Sequence, residues 1–266
     1  MILVDSHCHA LPYWYEPVES LLYQMDQNGV SYAILVQCMG QFNGNAYLME
    51  CVRRFPDRLA AVVLVDADGP TALQELERLA EQGARGVRLG PGTRSPGDDP
   101  LAIWRKADEL GLPVTCGGTG ADFASEEFAD LVGSLPDLPI IIEHLGSLNV
   151  PDGEPAPYEI RRKAFSLTRF SNVYIKAHGL GEFCRRVSDG SQSFPFEMPV
   201  PPLLEMAYEA FGPHRMMWGS DYPLVSSREG YRNALHFTMD RLQSKGEEAR
   251  ELVFGRVARD LYGLRG

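Results

Sequence analysis

The run Pro139-Ile140-Ile141-Ile142-Glu143-His144 holds three consecutive isoleucines and then two ionisable residues. Three β-branched apolar residues in a row leave no polar face, so a strand here is covered on both sides, as in a parallel sheet under helices. The pattern recurs along the chain. On the amino-terminal side stand Ile2-Leu3-Val4-Asp5-Ser6-His7-Cys8-His9, Tyr32-Ala33-Ile34-Leu35-Val36-Gln37, Leu59-Ala60-Ala61-Val62-Val63-Leu64-Val65, Gly86-Val87-Arg88-Leu89 and Leu112-Pro113-Val114-Thr115-Cys116. On the other side stand Asn172-Val173-Tyr174-Ile175-Lys176-Ala177-His178 and Met216-Met217-Trp218-Gly219-Ser220-Asp221.

Helical stripes fill the intervals. Val18, Leu21, Leu22 and Met25 end at Gly29; Leu73, Leu76, Leu79 and Ala80 end at Gly83; Leu101, Trp104, Ala107 and Leu110 end at Gly111. Phe128, Leu131, Val132 and Leu135 follow Ser125, an N-cap residue type, and Ile160, Ala164 and Leu167 form a further stripe. Strands alternating with helices imply parallel pairing, and eight of them predict a single α/β (β/α)8 TIM barrel over residues 1–266. A doubly wound open sheet is the alternative, but it calls for a Gly-rich phosphate loop after an early strand, and none is present. The connection Gly179 to Pro201 after strand seven is long, rich in Gly and Pro, and set with Phe183, Phe194 and Phe196; we read it as a lid over the strand ends.

Composition sets the outer limits. The 266 residues are 44% hydrophobic and 23% charged, which is ordinary for a globular chain with a large core. A net charge of -11 offers no global basic footprint for nucleic acid, although a local pocket can still take an anion. The five cysteines are scattered without a Cys-x-x-Cys pair, which suits a reducing cytoplasm better than a disulfide framework. The amino terminus does not read as a signal peptide, and no apolar run approaches the roughly 20 residues that span a bilayer. The expected partner is a small-molecule substrate, not nucleic acid or membrane; a homo-oligomer is left open.

The polar residues at the strand ends carry the chemistry. Strand one supplies His7 and His9, which alternate onto one face while Cys8 takes the other. Strand four supplies Arg88, strand six His144, strand seven Lys176 and His178, and strand eight Asp221. Each has a plainer reading: Asp221 as a turn cap, His144 and His178 as satisfied rim residues, Arg88 as the partner of Glu143 or Asp5, Lys176 as an internal ion pair. Four of six histidines at such short segments weigh toward a site.

His7-x-His9, Glu143-His144-Leu145-Gly146 and Gly219-Ser220-Asp221-Tyr222-Pro223 together resemble the amidohydrolase superfamily and most of all its amidohydrolase-2-related branch. Asn172-Val173-Tyr174-Ile175-Lys176 and Phe211-Gly212-Pro213-His214-Arg215-Met216-Met217 are similar to the lactonase-like subgroup, which includes sugar lactonases and 2-pyrone-4,6-dicarboxylate hydrolase. The resemblance implies a site of His7, His9 and Asp221 with His144 beside them. Three departures stand out: Arg88 replaces a strand-four lysine, strand five ends Cys116-Gly117-Gly118 without a histidine, and strand seven reads Lys176-Ala177-His178-Gly179.

These readings lead to a hydrolase that opens a lactone or related ester of a small carboxylated or sugar acid. Asp221 activates water, and His144 with the paired histidines polarises the carbonyl. Arg88, Lys176 and His178 bind substrate. One divalent metal ion, zinc by preference, fits on His7, His9 and Asp221, and a metal-free site is the other option. The rival readings are a metal-dependent decarboxylase of an aromatic or muconate-type acid, and a silent binding barrel.

Overall fold

The computed structural model describes residues 1–12, 16–147, 154–187 and 194–264. Eight strands form one sheet in chain order: β1 (Leu3–Cys8), β2 (Val30–Val36), β3 (Leu59–Leu64), β4 (Gly86–Leu89), β5 (Val114–Cys116), β6 (Ile140–Ile142), β7 (Val173–Ala177) and β8 (Met216–Trp218). Each neighbouring pair is parallel. The sheet closes just past the last strand, where the Asp221 N–H donates to the His7 carbonyl at 2.8 Å and the His9 N–H to the Tyr222 carbonyl at 2.7 Å. The result is the (β/α)8 barrel expected from the eight apolar runs.

The three isoleucines show why the strands need no polar face. Ile140 and Ile142 pack outward, in one cluster with Leu35, Val63 and Trp218, against the crossover helices. Ile141 points inward with Val4, Ile34, Val36, Val62 and Met217. The carboxyl-terminal segment plugs that inner core with Leu252, Val257 and Tyr262.

Local signals set the helices. Helix Val18–Asn28 buries Val18, Leu21 and Met25 and ends at Gly29, whose φ of 67° is the left-handed conformation that a glycine adopts without a Cβ clash. Ser125 Oγ accepts the Phe128 N–H at 3.1 Å and caps helix Glu126–Ser134. Helix Glu159–Phe165 corrects one expectation: Ile160 is 46% exposed, and the buried face is Arg161, Ala164 and Phe165. Arg161 is drawn in because its Nη1 donates to the Leu145 carbonyl at 2.7 Å.

Two irregular features place the site. In β1, Asp5 pairs with Ala33 and Cys8 with Leu35, so three steps on β1 face two on β2. This β-bulge lets Val4 join the inner core and His7 the other imidazoles, while Cys8 packs in the outer cluster and Asp5 meets Ser220 and Tyr231. After β7 the chain makes a tight turn, Leu180–Glu182, and Glu182, Phe183 and Cys184 are buried. Arg186 then bridges Phe196 in an antiparallel pair; residues 188–193 of the expected lid lie outside the described residues. All five cysteines are free and buried. Among the described residues no helix is long and apolar enough to cross a membrane.

Candidate active site

Four imidazoles meet at the carboxyl end of the barrel. His7 lies 4.9 Å from His9, 5.2 Å from His144 and 4.7 Å from His178, ring centre to ring centre, and His144 and His178 are 4.2 Å apart. Asp221 completes the group, with Oδ1 at 3.4 Å from His9 Nε2 and 3.9 Å from His7 Nε2. All five side chains are buried. The four histidines singled out at strands one, six and seven thus meet Asp221 of strand eight.

Backbone geometry aims them. Asp221 has φ 57° and His144 has φ 53°, both left-handed for residues with a Cβ. Such a conformation costs roughly 1–3 kcal/mol and persists only where the surroundings over-determine it. At Asp221 the surroundings are the hydrogen bonds to β1. Gly219 is required by the same approach, since a Cβ there would stand 2.6 Å from the His7 Cβ. Asp5 holds the turn from behind, accepting from the Ser220 N–H at 2.8 Å, the Ser220 hydroxyl at 2.6 Å and the Tyr231 hydroxyl at 2.9 Å.

Three charged residues that sequence reasoning did not assign to the site complete it. Glu182 accepts from His144 Nδ1 at 2.6 Å, and its other oxygen lies 3.3 Å from His178 Nδ1. Arg228 Nη1 donates to Asp221 Oδ2 at 2.9 Å and lies 3.4 Å from Glu182 Oε1. Glu143 binds Arg88 Nη2 at 2.5 Å and stands 3.7 Å from His7 Nδ1. The signal for Glu182 was its i,i+4 spacing from His178; Arg228 follows the strand-eight motif by a few residues and carries no pattern of its own.

These contacts set the charges. Burial pushes the Asp221 carboxyl up, but the His9 hydrogen bond and the His144 charge outweigh it, and the group falls to about 2. Burial pushes His9 down, yet Asp221 and Cys38 bring it up to about 9. His144 is likewise raised against burial by Glu182, whereas burial keeps His7 and His178 low. At neutral pH His9 is thus charged, His144 is biased toward its charged form, and His7 and His178 are biased toward their neutral forms.

Arg88 proves to be both things that its position suggested. It is locked to Glu143 and to the Gln37 carbonyl at 2.9 Å, and it lines a cavity of about 280 Å³ with Asp66, Asp68, Thr93 and Arg94. Asp5 is not its partner. Lys176 lies deeper in the barrel. Its amine is fully buried, has no hydrogen-bond acceptor among the described residues, and faces the Tyr262 ring at 5.7 Å, toward the plugged end of the barrel. Its charge is also felt by His7 and Glu143 in the site.

The donor set fits a divalent cation. His7–His9–Asp221, His7–His144–His178 and His144–Glu182–Asp221 each bring three ligand atoms within 4.8 Å of one another. His9 Nδ1 is held by the Val36 carbonyl at 2.7 Å and His144 Nδ1 by Glu182, which leaves each Nε2 facing the centre. This is how ligating histidines are usually oriented. Neither nitrogen of His7 has a hydrogen-bond partner among the described residues, an unusual state for a buried imidazole that a ligand would relieve.

A family model described as amidohydrolase matches residues 4–264. The 4-sulfomuconolactone hydrolase of Rhizobium radiobacter is 27% identical over 213 residues, which are 78% of this chain and 66% of that protein. The chain spans less than two thirds of the length of the curated relatives that it matches, 34% of one and 66% of the other. Among solved structures, an amidohydrolase from Burkholderia multivorans with bound zinc superposes with a TM-score of 0.79 at 20% identity, covering 100% of both chains. A probable 2-pyrone-4,6-dicarboxylic acid hydrolase from Acinetobacter baumannii, with citric acid bound, gives 0.75 at 20% identity over 99% of this chain and 100% of that one.

Proposed function

This chain belongs to the amidohydrolase family, and we propose that it is a hydrolase that opens a lactone, or cleaves a related ester, of a small carboxylated or sugar acid. The observation that carries the reading is Asp221, an ionised carboxylate fixed by Arg228 within a ring of four buried imidazoles. Similarity to a sulfomuconolactone hydrolase supports the lactone as the substrate class.

Asp221 takes a proton from the attacking water. Its low proton affinity in the resting site reflects the His9 hydrogen bond and the His144 charge, and it strengthens as a base when substrate turns either of them aside. His144, biased toward its charged form by Glu182, directs its Nε2–H at the carbonyl oxygen and stabilises the negative charge that develops there. His178 borders the same space. Arg88, at the wall of the cavity, holds a substrate carboxylate on that side. The sequence's metal set, His7, His9 and Asp221, would hold one divalent ion, zinc by preference, which supplies Lewis acidity to the carbonyl and the water.

The test is a panel of sugar-acid and carboxylated lactones incubated with purified protein. Ring opening, read as acid release and by NMR of the product, is expected. Carbon dioxide release from an aromatic or muconate-type acid, with every lactone left intact, would replace the proposal with decarboxylation. Strand β5 ends at Cys116, followed by Gly117, and places no imidazole in the site, which weighs against that outcome.

A further inference from the structure

We infer that Glu182 is a positioning residue that holds His144 and His178 as a pair, each with Nδ1 turned back to the carboxylate and Nε2 turned to the reacting centre. The inference rests on the hydrolase reading for its kinetic consequences but not for its geometry.

Glu182 has features that a loop glutamate lacks. It is 4% exposed, and both of its oxygens face imidazole nitrogens, Oε1 toward His144 Nδ1 at 2.6 Å and Oε2 toward His178 Nδ1 at 3.3 Å. The His178 contact is within ion-pair reach but off the line of a hydrogen bond. The two rings come from different strands, β6 and β7, and their centres lie 4.2 Å apart. One carboxylate facing both holds their nitrogens toward it, through a hydrogen bond at His144 and an ion-pair contact at His178.

The turn that carries Glu182 is itself anchored. The Gly181 N–H donates to Glu229 Oε1 at 3.2 Å. Gly179 and Gly181 admit that carboxylate, since a Cβ on either would run into the Glu229 oxygens. Arg228, adjacent to Glu229 in the chain, ties Glu182 to Asp221 through one nitrogen. Among the described residues, Glu182 thus stands where the proton acceptor and the two outer imidazoles are linked.

The chemistry of the carboxylate is specific. An ionised Glu accepts two N–H donors, whereas Gln accepts through one oxygen and presents N–H groups on the other side. In Glu182→Gln one ring must therefore turn over or change tautomer, although side-chain volume is nearly unchanged. A buried glutamate that merely fills space would be replaced by Gln without this effect.

The experiment is nitrogen NMR of histidine-labelled protein at a pH where the rings are neutral, with kinetics on the best lactone of the panel. The wild type should show His144 and His178 protonated at Nδ1. Glu182→Gln should switch one of them to Nε2–H and lower kcat by about 10- to 100-fold with KM changed far less. Glu182→Asp, which keeps two acceptors, should restore part of the wild-type pattern. Unchanged imidazole signals in Glu182→Gln with near-normal kcat would overturn the inference. Loss of bound zinc with both tautomers retained would overturn it too, because Glu182 would then be a ligand. If no lactone is turned over, the tautomer pattern still decides the positioning role on its own.

Discussion

The backbone N–H of Asp221 donates to the carbonyl of His7 at 2.8 Å, so the bond that closes the barrel joins two residues of the site. Closure and chemistry depend on the same few atoms. Beside it, Gly219 gives β8 its close approach to β1, with the His7 backbone nitrogen only 2.8 Å from where a Cβ would stand.

Gly219→Ala should therefore lower stability by about 1–3 kcal/mol, the usual effect of overpacking. It should reduce turnover more than that loss of stability explains, because His7 and Asp221 are pushed apart. Thermal unfolding and kinetics on the same preparation check this. Wild-type activity in a folded Gly219→Ala protein would mean that the contact is not needed for the site.

The Arg88–Glu143 pair makes a second case. Its two charges are buried together, so removing one leaves the other uncompensated. Arg88→Met alone should cost about 3–5 kcal/mol, and the double variant Arg88→Met with Glu143→Gln should recover much of it. Denaturant titrations of the four proteins in the cycle measure the coupling. Additive losses would show that the pair is not a unit.

The barrel and the strand ends were legible in the sequence because both depend on short-range pattern. Three isoleucines at 140–142 can be buried only in a two-sided sheet, and a histidine or aspartate just past such a run has little else to do. The bulge in β1 was not legible, because Leu3 to His9 alternates acceptably without it. Ile160 misled for a similar reason: its spacing suits a buried stripe, but Arg161 one step away had a carbonyl to reach at Leu145. Glu182 carried only its i,i+4 spacing from His178 and Arg228 no pattern of its own, because both sit in irregular segments and their partners are set by tertiary closure. The depth of Lys176 was not legible because position in a strand gives the face but not the depth, and its amine is buried facing the Tyr262 ring.

Lys176 also gives a pH prediction. Burial lowers its pKa from 10.5 to about 7, against the attraction of Glu143. Between those values the unfolded chain binds a proton that the fold does not, so stability rises with pH across that window and is lost as pH falls through 7. Lys176→Met should remove this slope and be at least as stable as wild type at pH 7. Unfolding measured at pH 7 and at pH 10 tests it. A large rise in KM without a change in slope would instead return Lys176 to a substrate contact.

Metal dependence follows from the unpartnered nitrogens of His7. Purified protein should bind about one zinc per chain, and His7→Asn and His9→Asn should each lower the content. A chelator should reduce lactone turnover, and added zinc should restore it. Full activity in chelator, with no zinc detected in the protein, would assign the chemistry to the imidazoles and Asp221 alone.

The most direct measurement compares the wild type with Asp221→Asn on a lactone that the wild type opens. Asn keeps the size of the side chain but cannot take a proton. The barrel should stay folded, as judged by circular dichroism, while kcat falls by roughly 100- to 10,000-fold. A folded Asp221→Asn protein that opens the lactone at the wild-type rate would contradict the account at its centre.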